Sequence, residues 1–241
     1  MFKKKENKAI YTWEGVIKTA DSTPSKELRL SSLARFTQEA AIKSAEELGY
    51  DSSKTLNRGL LWVIGKQYFE IYKMPHYGET IKVTTYPGKK IGTFFLRHYK
   101  ILSSSDEILI RGVAVWCLID KSTRKTIVPE EHGIFIPVVS EEGELEFPPS
   151  YRIENQLLSQ TEIEAYWSRC DINGHLNNTY YFDAIEDLIP IDFLMTHTVK
   201  SLSITYKKEI RLGDKALINF GYKDPYYDFV GDRFQARIEF K

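Results

Sequence analysis

Apolar positions along the chain change period several times, and the changes mark out elements. Ile10 to Ile17 fits a short strand, and Asp21 to Ser25 reads as a turn. Leu28 to Leu48 carries a helical period, with Leu33, Ala40, Ala41, Ser44 and Leu48 on one face. Ser31 or Ser32 is placed to cap that helix, and Gly49 to end it in the left-handed conformation. Its alanines let it lie close against a sheet. The period then shortens to that of strands in Leu60 to Ile71, Ile81 to Thr85, Phe94 to Leu102 and Leu109 to Asp120. His76 to Glu79 supplies a turn between the first two. Pro137 to Pro149, with its acidic run, breaks the pattern and reads as a linker.

The second half repeats the first. Glu162 to Trp167 is an opening strand, Asn177 to Leu188 a helix, and Val199 to Ile210, Ala216 to Tyr222 and Arg233 to Phe240 are strands. Gly78-Glu79 and Gly213-Asp214 occupy the same turn in each half, an offset of 213 − 78 = 135. Carried onto the helices, that offset pairs Asp171 with Phe36 and His175 with Ala40. The pattern is an internal duplication of class α+β, each half a long helix against a curved antiparallel sheet. The expected division is 1–140, a linker at 141–160, and 161–241.

Composition narrows the partners. Hydrophobic residues make up 42% and aromatics 13%, enough for packed cores, and the zero formal charge argues against a nucleic-acid binder. Two cysteines, Cys117 and Cys170, fit a reducing compartment better than a disulfide framework. The start, MFKKKENKAIYTW, has positive charge but no apolar run after it, and no stretch reaches the roughly 18 apolar residues of a membrane span. A soluble, cytoplasmic protein without membrane insertion is expected.

The densest chemistry lies in SRCDINGHLNNTYYFDAIED, residues 168–187. Asp171, Asn173 and His175 stand at every second position, so on an extended segment they face one way. Asn177 or Asn178 is placed to cap the helix that follows, whose free N–H groups favour developing negative charge. A carboxylate, an amide, an imidazole and an anion-stabilising helix start point to acyl chemistry. A calcium loop would need Gly at position six and Glu at twelve, where Leu176 and Phe182 stand. Zinc would find only His197 and Cys170 nearby, at no recognised spacing. No metal and no cofactor is expected. GxSxG is absent, which removes a serine nucleophile elbow.

Several stretches, LRLSSLARFTQEAA, WVIGKQYFEIYKMPHYGETIKVTTYP, GTFFLRHYKI, AVWCLIDKSTRK, SRCDINGHLNNTYYFDAIED and ITYKKEIRLGD, follow the order and spacing of one family. Through them the chain resembles the acyl-acyl-carrier-protein thioesterases, double hotdog enzymes of fatty-acid synthesis. The family's DxNxHxNN motif falls on Asp171, Asn173, His175, Asn177 and Asn178, and its downstream glutamate on Glu209, 209 − 175 = 34 residues later. Some members carry a cysteine beside that glutamate; here the position is Ile210.

The resemblance implies hydrolysis of fatty acyl-carrier-protein thioesters. Glu209 and His175 would deprotonate water, Asn173 would orient the imidazole or the substrate, and the helix start at Asn177 and Asn178 would hold the oxyanion. Asp171 would be a second base or attack directly. The acyl chain would lie in the first half, with Phe36, Ala40, Trp62 and Ile64 as pocket walls. Rival readings are an acyl-coenzyme A thioesterase and a non-catalytic hotdog that only binds acyl thioesters. An acidic carrier protein is the expected partner, with Lys89-Lys90, Arg97, Lys207-Lys208 and Arg211 as a candidate landing surface. A homodimer is compatible with such a fold.

Overall fold

The computed structural model describes residues 9–50, 55–151, 153 and 159–241. The lysine-rich start judged for a leader, and positions 152 and 154–158 of the expected linker, lie outside these. The described chain forms ten strands: β1 Tyr11–Val16, β2 Leu60–Ile71, β3 Thr80–Ile91, β4 Phe94–Ser103, β5 Ile108–Asp120, β6 Ser159–Glu164, β7 Val199–Tyr206, β8 Lys215–Lys223, β9 Tyr226–Gly231 and β10 Phe234–Phe240. They make one sheet in the order β1-β3-β4-β5-β2-β7-β10-β9-β8-β6. Reversing the second five reproduces the order of the first five, so the sheet has a pseudo-twofold axis between β2 and β7.

That axis is visible in the register. Lys66 pairs with Thr205, Tyr68 with Ser203 and Glu70 with Ser201. The centre is the Tyr68–Ser203 pair, and 68 + 135 = 203. The offset of 135 therefore holds for β2 and β7, and for β3 and β8, which begin at Thr80 and Lys215. Strand side chains alternate between faces, and β10 buries every second residue, Phe234, Ala236, Ile238 and Phe240.

Among the described residues, α1 Leu30–Glu47, α2 Tyr180–Glu186 and α3 Ile191–Leu194 pack on the sheet. The inward face of α1 buries Leu33, Ala34, Thr37, Ala40, Ala41 and Ser44. Small side chains let the helix approach the strands, and the Thr37 hydroxyl is satisfied by the Leu33 and Ala34 carbonyls. One apolar core runs through both halves, joining Leu33 and Phe69 to Phe182 and Ile204. No helix among the described residues is long and apolar enough to cross a membrane.

The structure departs from the sequence expectations in several places. Neither Ser31 nor Ser32 caps α1; both are buried in its first turn, and Arg29 is the cap residue, with no side-chain bond to the helix. Gly49 does take the left-handed conformation at the other end, with φ +81. β3 runs on through Pro87 to Ile91, with a register shift between Pro87 and Lys90. β9 is an additional strand in a stretch that carried no strand signal. β7 stops at Tyr206 because the Lys207 and Lys208 N–H groups both turn to the Arg233 carbonyl.

The offset of 135 fails for the helices. Thr23 N–H donates to the Glu27 carbonyl as Asp171 N–H donates to His175, and Leu28 N–H donates to Pro75 as Leu176 N–H donates to Ile210. The loop before each helix is thus repeated at 171 − 23 = 148, while its sheet-side partner keeps 210 − 75 = 135. The first half spends 148 − 135 = 13 more residues between the two; α1 has 18 residues where α2 has seven. Asp171 and His175 therefore correspond to Thr23 and Glu27, not to Phe36 and Ala40.

Candidate active site

The loop that carries the motif is a tight turn rather than an extended segment. Asp171 is its hub. Its Oδ1 accepts from the Asn173 N–H at 2.8 Å and the His175 N–H at 3.3 Å, and its Oδ2 accepts from Asn173 Nδ2 at 3.2 Å. Gly174 completes the turn with φ +73, a conformation that suits glycine, and its N–H donates to the Asp171 carbonyl. The loop is then pinned to the sheet by Leu176 N–H on the Ile210 carbonyl and Leu212 N–H on the Gly174 carbonyl.

This geometry changes what the three motif residues do. Asp171 and Asn173 are bonded to each other, so they do not face a cavity in step with His175. Asn173 is exposed. The His175 ring instead meets Glu209, with Nε2 and Oε2 3.4 Å apart. Their side chains are 24% and 31% exposed, open enough to meet a substrate yet largely screened from bulk water. The Glu209 backbone is fixed by Arg233, whose Nη1 donates to its carbonyl at 3.0 Å.

A third group completes the cluster, and sequence reasoning gave it no role. Arg124, from the turn after β5, forms an ion pair and hydrogen bond with Glu209 Oε1. It lies within AVWCLIDKSTRK, 85 residues before its partner. No local spacing could connect the two; only the β2–β7 junction brings the end of β5 beside the segment after β7.

The imidazole is held below its ordinary pKa of 6.5 chiefly by burial, with Arg124 and Arg211 adding to the effect and Asp171 opposing it. At neutral pH the ring is therefore uncharged and free to accept a proton. The Cys170 thiol is pushed up, first by burial and then by Asp171, which makes it a poor nucleophile.

Asn177 and Asn178 lie ahead of the helix rather than on it. Asn177 Oδ1 accepts from the Thr179 N–H and hydroxyl, and the helix begins at Tyr180. The Asn177 N–H donates to the Arg169 carbonyl, so it is already committed. The Asn178 carbonyl accepts from the Tyr206 hydroxyl, which also donates to Gln67 of β2. Each half thus contributes to fixing the approach to α2.

The expected acyl-pocket residues sit in the first half. Phe36 packs on Trp13 with ring centroids 5.1 Å apart, and Trp62 meets Phe95 edge-on at 5.7 Å. Ala40 and Ile64 are buried in the shared core. Of the expected landing surface, Lys89, Lys207, Lys208 and Arg211 are exposed, while Lys90 pairs with Glu130. Arg97 does not belong to that surface: its guanidinium turns inward to the Ser44 and Thr85 hydroxyls.

Comparison with known proteins agrees on one family. The sequence model of the acyl-ACP thioesterase N-terminal domain matches residues 8–132, and that of the C-terminal domain matches residues 154–224. An acyl-[acyl-carrier-protein] hydrolase of Cuphea viscosissima is 26% identical over 85% of this chain, covering 52% of that protein. Oleoyl-acyl carrier protein thioesterase 1 of Arabidopsis thaliana is 24% identical over 87% of this chain, covering 63% of that protein. The chain thus spans about half to two thirds of the length of these chloroplast relatives. The crystal structure of an acyl-ACP thioesterase from Bacteroides thetaiotaomicron superposes with a TM-score of 0.87 at 22% identity, over 98% of this chain and 99% of that one. The 12:0-ACP thioesterase of Umbellularia californica superposes with a TM-score of 0.81 at 18% identity, over 97% of each chain. The double hotdog fold is shared along the whole length.

Proposed function

The chain belongs to the acyl-ACP thioesterase family, and on that premise we propose that it hydrolyses fatty acyl-acyl-carrier-protein thioesters, releasing free fatty acid and the carrier thiol. The observation that supports this most is the 3.4 Å approach of His175 Nε2 to Glu209 Oε2. Two acceptors at that separation converge on a single water, which can donate one hydrogen to each. The neutral imidazole takes a proton as the water oxygen attacks the thioester carbonyl carbon. The tetrahedral oxyanion then collapses, the carbon–sulfur bond breaks, and the proton on His175 passes to the departing thiolate. General-base help of this kind is typically worth about 10²–10⁴-fold.

Asp171 acts in this scheme through the loop and through its charge. Its carboxylate shapes the turn that presents His175 and favours the imidazolium that forms during attack. Asn173 completes the Asp171 network and is a positioning group. The oxyanion is assigned to the stretch at Asn177 and Asn178, where the Asn178 N–H is the donor not already committed to the Arg169 carbonyl. One such donor is typically worth roughly 3 kcal/mol in the transition state.

We assign residues 1–140 and 161–241 to the two hotdogs, with 141–160 between them, and the acyl chain to the first half beside Phe36, Ala40, Trp62 and Ile64. Lys208 and Arg211 flank Glu209 and are exposed, which suits the docking of an acidic carrier beside the reaction centre. The test is to incubate the purified protein with a panel of acyl-carrier-protein thioesters, and with the same acyl groups on coenzyme A, and to measure released fatty acid. Turnover of the carrier-bound series is expected to exceed that of the coenzyme A series. Equal or faster turnover of the coenzyme A series would reassign the substrate, and binding without turnover would remove the enzyme reading.

A further inference from the structure

We propose that Arg124 is a positioning residue of the active centre, by which the first half of the chain fixes the Glu209 carboxylate and tunes the His175 base in the second. The inference rests on the thioesterase reading for its kinetic consequences, but its geometry stands apart from that reading.

The first observation is directional. Arg124 engages Glu209 Oε1, while Oε2 faces His175 Nε2. A carboxylate on a long side chain samples several rotamers. An ion pair on one oxygen removes most of them and leaves the other oxygen aimed at the imidazole. Arg233 holds the Glu209 backbone through its carbonyl.

The second observation concerns the turn that delivers Arg124. Asp120 Oδ1 accepts from the Ser122 N–H and hydroxyl and from the Thr123 N–H and hydroxyl. The Arg124 N–H then donates to the Asp120 carbonyl at 2.9 Å, and Asp120 N–H to the Lys125 carbonyl at 2.9 Å. Arg124 itself sits at φ +60, in the left-handed region that side-chain-bearing residues rarely adopt. Such a conformation persists only where the surroundings over-determine it, and it concentrates at functional sites. Here it sets the direction in which the guanidinium leaves the turn.

The third is electrostatic. The charged groups facing the His175 ring are Asp171 on its own loop, Glu209 after β7, Arg211 opposite it in the sheet-side bridge, and Arg124 from the first half. Arg124 is a permanent cation that disfavours the imidazolium, so it helps keep the base neutral. Its removal acts twice in one direction, deleting a cation and leaving the Glu209 anion unpaired beside the ring.

The experiment compares wild type, Arg124→Gln, Arg124→Lys and Asp120→Ala in the full chain. Arg124→Gln is expected to lower kcat by roughly tenfold or more with KM within about twofold, since a misaimed carboxylate is felt in the transition state rather than in binding. The acid limb of its rate profile should move to higher pH. Arg124→Lys should recover part of kcat, and Asp120→Ala, which loosens the turn without altering the arginine, should lose kcat in the same sense. Titration of the His175 ring by NMR supplies a readout independent of turnover, with a higher pKa in Arg124→Gln. An unchanged pH limb and an unchanged ring titration would overturn the inference, as would a rise in KM at constant kcat, which would place Arg124 in carrier docking. Wild type inactive on every acyl thioester would sink the thioesterase reading alone, because the ring titration would still judge Arg124.

Discussion

An imidazole acts as a base only while it is neutral, and His175 has opposing charges deciding that. Burial and the two arginines hold its pKa below 6.5, while Asp171 pulls it up. Activity therefore requires the deprotonated ring, and the acid limb of kcat is expected below pH 6.5, with a plateau above it. Asp171→Asn should shift that limb further toward acid, opposite to Arg124→Gln, and lower kcat because the forming imidazolium loses a supporting anion. A limb that stays put in Asp171→Asn would remove the electrostatic role. Much of this was legible as residue types, since Asp171 and His175 stand out by their spacing and Glu209 through the family resemblance. Their division of labour was not. The every-second-position rule assumes an extended strand, and hydrogen bonds from Asn173 and His175 to Asp171 fold the segment into a turn instead. Arg124 was illegible because its partner is distant in sequence and close only across the sheet.

At the level of elements, two contacts between segments carry predictions about stability. Glu186 on α2 is half-buried, and burial, helped by Asp183, pushes its pKa up to about 8. Arg29 and the Leu30 N–H at the start of α1 oppose this only partly. The folded state thus holds a proton that the unfolded chain releases near 4.5, so stability falls as pH rises from about 4.5 toward 8. Glu186→Gln keeps an acceptor for Leu30 and cannot ionise. Its melting temperature should overtake that of wild type across that interval, with a gain on the order of 1 kcal/mol or more at pH 8. Parallel curves for the two proteins would contradict the raised pKa. The second contact is the Arg237 fork on Asp228, at 2.6 and 2.9 Å, with the guanidinium between Tyr151 and Tyr226. Asp228 is fully buried and both bonds of the fork come from a charged donor, so Asp228→Ala should cost about 1.5–3 kcal/mol in denaturant unfolding. Neither contact had a sequence signal. Of the two strands joined by the second contact, β10 was legible by alternation, while β9, whose consecutive buried residues Tyr227, Asp228 and Phe229 give no period of two, was not.

The duplicated halves raise the question of how many centres one molecule carries. The first-half loop copies the backbone bonds of the Asp171–His175 loop at 148 residues, down to Lys26 at φ +66 where Gly174 lies at φ +73. Its chemistry is different. Thr23 stands for Asp171, Ser25 for Asn173, Glu27 for His175 and, at the sheet offset of 135, Met74 for Glu209. These residues face α2 and α3 across a groove of about 470 Å³. A groove with a thioether where the carboxylate should be, and a carboxylate where the imidazole should be, has no imidazole–carboxylate pair to share a water. Scaffold and chemistry have separated: backbone hydrogen bonds keep the pseudo-twofold, and side chains break it. It follows that His175→Ala should remove essentially all turnover rather than half, leaving below roughly 1% of wild-type kcat if the general base is worth about 10²-fold or more. The variant should keep the wild-type melting temperature within a few degrees, since the ring is partly exposed and the loop is held by backbone bonds. Residual activity near half would mean that the first-half groove also hydrolyses thioesters, and the molecule would then have two working sites.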